Sequence, residues 1–208
     1  MTLDDIDWPV RTDRLLLRRA TVDDGGAIWS IRSQPGVSDW LTRAAVDREE
    51  FVTYTTEPKR LAKTLVVELR DQPGTIIGDL MVSIQDPWAQ FEVTDQARGV
   101  EAELGWVFAP EHGGRGYATE AVRAAMSICF DRLGLRRVVA NCFADNESSW
   151  RLMERVGMRR EVHTVRESLH RSGQWLDGLG YAILADEWRT RPDERDQPPS
   201  ASRPSGPS

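Results

Sequence analysis

The chain has 208 residues, 40% hydrophobic and 29% charged, a balance that suits one globular domain with its own core. Its formal net charge of -6 repels nucleic acid, so a nucleic-acid-binding role is disfavoured and a cationic ligand is more compatible. No apolar run approaches the ~20 residues that cross a bilayer, and the start MTLDDIDWPV lacks the basic head and apolar middle of a secretory signal. Cys129 and Cys142 are the only cysteines, and without a framework they read as small buried side chains in a reducing compartment. Neither a disulfide nor a metal site is expected, and the expected location is the cytoplasm.

In chain order, RLLLRRA (14–20) predicts a short strand, and Thr21 and Asp23 are cap candidates for a helix carrying Ile28 and Ile31. A second helix is expected over Asp47 to Thr56. TLVVELR and TIIGDLMVSIQD predict strands separated by the turn DQPG, with Ile76, Leu80, Val82 and Ile84 on one face. VEAELGWVFA alternates: Ala102, Leu104, Trp106 and Phe108 face one way, Glu101, Glu103 and Val107 the other. From Arg115 the period becomes helical, with Ala118, Val122, Ala125, Met126, Cys129 and Leu133 in one stripe and Gly134 as the stop. RRVVANCF is a further strand, NESSWRLMERVGM a short helix, and two late strands are joined by HRSG before a last turn, ADEWRT. The order β-α-α-β-β-β-α-β-α-β-β describes an α+β (α/β mixed sheet) domain over residues 1–190. The stretch from Arg191, rich in proline, serine and charge, is expected to be a disordered tail over 191–208.

The most informative segment is APEHGGRGYATEA (109–121), where a strand pattern ends and a helix pattern begins. Glycines at a helix start let unpaired N–H groups converge and let a ligand approach without meeting a Cβ. With the helix dipole this makes an anion cradle suited to a pyrophosphate, to which Arg115 adds a side-chain charge. A plain glycine-rich strand-to-helix turn is the competing reading. The turn is not a P-loop, because it holds no lysine, and not a G-x-G-x-x-G fingerprint, because Thr119 stands where the third glycine belongs.

The turn resembles the pyrophosphate motif Q/R-x-x-G-x-G/A of the GNAT superfamily of acyl-CoA-dependent N-acetyltransferases, through Glu111, Gly114 and Gly116; Glu111 departs from the usual Gln or Arg. TDRLLLRRATVDD, NESSWRLMERVGM and GQWLDGLGYAILADEW resemble, in the correct order, further segments of the RimJ/RimL type, which acetylates protein N-termini and related amines. The likeness runs from about Thr12 to Trp188. It implies a single GNAT-like domain: a central, mostly antiparallel sheet with a splayed strand pair and helices on both faces.

The resemblance further implies direct attack of a primary amine on acetyl-CoA, both bound together. The pantetheine would pair with the backbone of Trp106, Val107 and Phe108 as an added strand. The backbone of Gly113, Gly114, Arg115, Gly116, Tyr117, Ala118 and Thr119 would hold the pyrophosphate. Glu103 is the candidate base, with Glu101 on its face as a second carboxylate able to raise a pKa; a solvated strand face is the alternative. No tyrosine stands in the 146–158 helix, so Ser149 takes the role of acid toward the leaving thiolate, and Asn146 that of orienting the cofactor arm. Asn146 also reads as a plain helix cap, and Ser149 as a first-turn residue facing water. Trp40, Trp88 and Trp175 are candidate walls of an acceptor pocket, and the acidic 86–100 loop, with Asp86, Glu92 and Asp95, would favour a cationic acceptor. His112 is expected to order the turn, while His163 and His170 have no metal-ligand spacing. The acceptor is a protein N-terminus or a small amine, and a homodimer stays open. The alternative is a non-catalytic acyl-CoA sensor or scaffold of the same fold.

Overall fold

The computed structural model describes residues 2–191. Arg191 stands at a bend, and the rest of the expected tail lies outside the described residues. Strand β2 (Leu15–Arg19) turns Leu15 and Leu17 fully into the core and pairs with the short β1 (Val10–Arg11). Arg18 grips the Asp24 carboxylate through both terminal nitrogens at 2.8 Å, and the Thr21 amide donates to the same group at 2.7 Å. That knot fixes the start of helix α1 (Gly25–Arg32). Helix α2 (Arg48–Thr55) begins at Asp47, whose carboxylate accepts from the Glu50 amide at 2.8 Å, a cap worth about 1 kcal/mol. One further turn, α3 (Pro58–Leu61), has Pro58 at its first position, where a missing N–H costs nothing.

Strands β3 (Thr64–Leu69) and β4 (Ile76–Gln85) form the first central hairpin. The alternation that groups Ile76 with Leu80, Val82 and Ile84 fails at its first member. Val67 pairs with Gly78 but Glu68 pairs with Ile76, so β4 carries one extra residue in a bulge. Ile77 therefore joins Leu80 and Val82 in the main core, and Ile76 turns to the opposite face with Ile28 and Phe51. Gly78 is needed there: a Cβ would lie 2.5 Å from Phe108 Cδ1.

Strand β5 (Glu101–Phe108), β6 (Arg137–Phe143), β7 (Arg159–Leu169) and β8 (Trp175–Leu184) complete one eight-stranded sheet in the order β1-β2-β3-β4-β5-β6-β8-β7. Every neighbouring pair is antiparallel except β5 and β6. One face carries the main core, under helices α4 (Tyr117–Ser127) and α5 (Glu147–Arg155), with the last turn α6 (Ala185–Arg189) alongside. The other face is covered by α1 and α2 through Ile28, Ile31 and Phe51. The expected mixed sheet with helices on both faces is what forms.

The predicted stripe of α4 continues into a wide turn over Ile128–Arg132, where the Leu133 amide reaches back five residues to Ile128 O at 2.9 Å. The inserted residue rotates the helix end, so Ile128 and Phe130 are buried together with Cys129 and Leu133. Gly134, at φ 66°, then ends the run. Among the described residues no helix is long and apolar enough to cross a membrane.

Candidate active site

The parallel pairing of β5 with β6 covers only Glu101↔Arg137, Ala102↔Val138 and Glu103↔Val139. Beyond Glu103, β5 continues against β4 alone and β6 against β8 alone. The result is a V-shaped opening whose inner edges, Leu104–Phe108 and Ala140–Phe143, carry backbone groups with no strand partner across the gap. Leu104, Trp106 and Phe108 point to the main core, while Val107 lies on the α1 face against Ile31. Strand β5 runs directly into the glycine turn, which therefore stands at the wide end.

In that turn, Pro110–His112 form a single tight turn closed by the Gly113 amide on Pro110 O at 2.9 Å. Gly114 and Gly116 sit at φ 72° and 78°, which would cost any other residue type roughly 1–2 kcal/mol. Gly116 is the N-cap of α4 and supplies no capping side chain. The first intrahelical bond runs from Glu120 N to Gly116 O, so the amides of Tyr117, Ala118 and Thr119 precede the ladder. Gly113, Gly114, Arg115 and Gly116 are all exposed, and a Cβ on Gly114 would meet nothing within 4 Å. Open amides, a helix dipole and no side chain over them fit a diphosphate. Glu111, the departure from the family pattern, accepts from Gln34 Nε2 at 3.4 Å.

The turn is anchored from below by residues far away in sequence. Glu120 accepts from Thr12 Oγ1 at 2.6 Å, from the Arg14 amide at 2.9 Å and from Arg14 Nε at 2.7 Å. Burial opposes ionisation of Glu120, but these bonds and the Arg14 charge outweigh it and hold the carboxyl below its ordinary value of 4.5. A depressed carboxylate stabilises the fold above its unfolded-state value and loses that contribution as pH falls through the folded one. The Tm gap between wild type and Glu120→Gln is thus expected to be full at pH 7, to shrink once pH falls below the ordinary carboxylate value of 4.5, and to close as the folded carboxyl protonates. A gap independent of pH in a thermal scan would refute the anchor.

Glu103 is the last residue of β5 paired with β6, at the point of the V, half-buried on the α1 face. Asn141 of β6 reaches across the parting to donate from Nδ2 to its Oε1 at 3.2 Å. The expected carboxylate pair does not form. Glu101 is buried and bound by Arg137 Nη1 at 2.8 Å and Gln85 Nε2 at 3.0 Å, because the parallel register sets Arg137 opposite it.

On the far arm, Asn146 is the N-cap of α5: its side-chain oxygen accepts from the Ser149 amide at 3.3 Å and from Ser148 Oγ at 2.9 Å. Ser149 does not face open water. It is half-buried and its hydroxyl bonds Cys142, whose thiol burial pushes up to about 11, the serine bond opposing that shift. Cys129 is buried under α4, its thiol pushed to about 12. Both cysteines are free, and no group of His, Cys, Asp and Glu among the described residues is placed to hold a metal.

On the α1 side, Trp40 packs against Phe143 at 6.2 Å and His170 at 5.8 Å between ring centres, and His170 Nε2 contacts Asp39 O at 3.0 Å. This aromatic group ties the β7–β8 turn to the α1–α2 connection at the end of β6. The other two tryptophans are not brought there: Trp88 is 88% and Trp175 57% exposed. In the 86–100 loop, Asp86 is committed to the Gly99 amide at 2.6 Å and Asp95 to Arg98 at 2.8 Å, which weakens its reading as a cation-attracting surface. His163 bonds Asp177 at 2.8 Å, and His112 lies 6.3 Å from the Tyr117 ring. Thr119 accepts from Arg155 at 3.4 Å. Asn141, Phe143, Arg14 and Glu120 went unassigned in the sequence, although RLLLRRA and YATEA hold one partner each of the Arg14–Glu120 pair.

Residues 14–159 match the acetyltransferase (GNAT) domain family. The chain belongs to that family, whose members move an acetyl group from acetyl-CoA to an amine. It is an N-acetyltransferase. Uncharacterized N-acetyltransferase YnaD of Bacillus subtilis (strain 168) is 29% identical over 180 residues, covering 86% of this chain and 98% of its own length. A GNAT-family acetyltransferase from Bacillus anthracis superposes with a TM-score of 0.72 at 28% identity, covering 86% and 99% of the two chains. A putative ribosomal-protein-serine acetyltransferase from Vibrio cholerae does so with a TM-score of 0.62 at 26% identity, covering 88% and 99%.

Proposed function

We propose that this N-acetyltransferase holds acetyl-CoA in the opening between β5 and β6 and acetylates a primary amine in the manner of the RimJ/RimL type. The observation that carries the reading is the parting of the two strands just past Glu103, which opens toward a glycine turn whose helix-start amides precede the helical ladder. The amides of Gly114 to Thr119, with Arg115, hold the diphosphate, that of Gly113 being taken by Pro110 O, and the free edge of Trp106, Val107 and Phe108 receives the pantetheine arm. Asn146 has an amide nitrogen left to orient that arm from the opposite side. Bound acetyl-CoA supplies the activated thioester.

Glu103 takes a proton from the acceptor ammonium, directly or through one water, so that a neutral amine attacks. Ser149 donates toward the departing sulfur. The acceptor enters from the α1 side, past Trp40, Phe143 and His170. The likeness to the ribosomal-protein acetyltransferase supports a protein N-terminus as acceptor, and a small amine fits the same chemistry.

Titration with acetyl-CoA is expected to raise Tm, since a ligand selective for the folded state must do so. Thiol release is then measured with a panel of N-terminal peptides, polyamines, amino acids and aminoglycosides. Turnover with one class names the acceptor. A raised Tm with no thiol release from any amine would leave a sensor, and no rise in Tm would overturn the binding site itself.

A further inference from the structure

We infer that Arg14 is a positioning residue for coenzyme A: it aims the Gly116 amide at the diphosphate and cancels the charge of Glu120 beneath the helix start. The inference rests on the proposed binding mode and adds to it a residue outside the glycine turn. Arg14 Nη1 donates to Arg115 O at 2.8 Å. In a trans peptide the C=O and the following N–H point in opposite directions, so holding Arg115 O downward turns the Gly116 N–H outward. Arg14 lies close enough below that a Cβ on Gly116 would stand 3.4 Å from its Nη2. Its guanidinium also sits 4.7 Å from the centre of the Tyr117 ring, fixing the first helical residue.

A carboxylate one turn into a helix works against an anion bound at that helix start. Glu120 is such a group, and Arg14 is ion-paired to it at 2.6 Å. The guanidinium fork satisfies the carboxylate and the carbonyl together, which an ammonium cannot do in the same geometry. Thr12 Oγ1 and the Arg14 amide complete the carboxylate shell, so no other residue has to move for the pair to persist.

The test compares wild type with Arg14→Met, Arg14→Lys and the double variant Arg14→Met/Glu120→Gln. Coenzyme A affinity is read by calorimetry, and KM is measured separately for acetyl-CoA and for the amine. Arg14→Met is expected to raise Kd for coenzyme A and KM for acetyl-CoA about tenfold, with kcat and amine KM within about twofold of wild type. Arg14→Lys should fall between the two, and the double variant should regain part of the affinity as the uncompensated carboxylate disappears. Loss of kcat with unchanged KM, or affinity unchanged in a folded Arg14→Met, would overturn the assignment. If Arg14→Met does not fold, Arg14→Lys with an unaltered acetyl-CoA KM does the same. Wild type failing to bind coenzyme A would instead strike the underlying reading of the glycine turn.

Discussion

Glu103→Gln is expected to lower kcat for amine acetylation roughly 100-fold, about 2.7 kcal/mol of transition-state stabilisation, with coenzyme A affinity unchanged. The size follows from placement. Glu103 stands at the point of the V, half-buried, with one oxygen accepting from Asn141 and Oε2 without a partner among the described residues. An amine arriving as ammonium must lose a proton before it can attack, and Glu103 is the carboxylate that the strand parting leaves available. Glu101, two residues earlier, cannot substitute, because Arg137 and Gln85 occupy it. Glutamine keeps the shape and the bond to Asn141 but cannot accept the proton. The variant's remaining rate should rise with pH as free amine becomes available in bulk, so the deficit should narrow toward the amine pKa. A rate within about threefold of wild type at every pH from 6 to 9 would remove Glu103 from the mechanism.

Arg32→Met is expected to be the most damaging single change to stability, at about 3–5 kcal/mol. Asp79 lies on β4 with its side chain 1% exposed, and Arg32 of α1 holds it by a fork, Nε on Oδ2 at 3.0 Å and Nη2 on Oδ1. Removing the cation strands a carboxylate in an apolar layer, where desolvation far exceeds anything methionine packing returns. At 2–4 °C per kcal/mol for a chain of this size, Tm should fall by roughly 6–20 °C. Arg32→Met/Asp79→Asn should recover most of that loss, because the cost belongs to the unpaired charge and not to absence of the pair. A single variant melting within about 2 °C of wild type would show that Asp79 is not buried as described. The change should also be felt at the site, since Asp79 pairs in register with Val107, whose outer edge faces the V.

Periodicity was a sound guide wherever a segment obeyed one period against one partner. The alternation of Glu101 to Phe108 holds along the whole strand, and the cap at Asp47 and the stop at Gly134 stand where residue chemistry puts them. It failed at one inserted residue and was incomplete at another. The bulge before Gly78 moves Ile76 to the other face, and the wide turn at Ile128 buries Phe130, and nothing local announces either. Both are settled by partners: the Phe108 ring over Gly78 in one case, the helix end packing into the core in the other. The site divides in the same way. The glycine turn is a contiguous motif and could be read directly. Arg14 with Glu120 and Asn141 with Glu103 meet only because the fold brings distant segments together. A charge at position 14 says nothing alone about a carboxylate more than a hundred residues on.

Among the described residues, the five-stranded half of the sheet that ends in β5 meets the three-stranded half that starts at β6 through three paired residues and one flanking backbone bond, Arg136 N to Val100 O at 2.8 Å. Side chains add to this: Arg137 binds Glu101 and Asn141 binds Glu103 across the seam, and Ala102 and Leu104 share one buried cluster with Val138, Ala140, Met126 and Met153. Past Glu103 and Asn141, where these bonds end, the gape of the cleft is set by packed volume. A methylene added or removed beneath the seam alters how far apart two rigid plates lean, and substrate fit becomes tunable from positions no substrate touches.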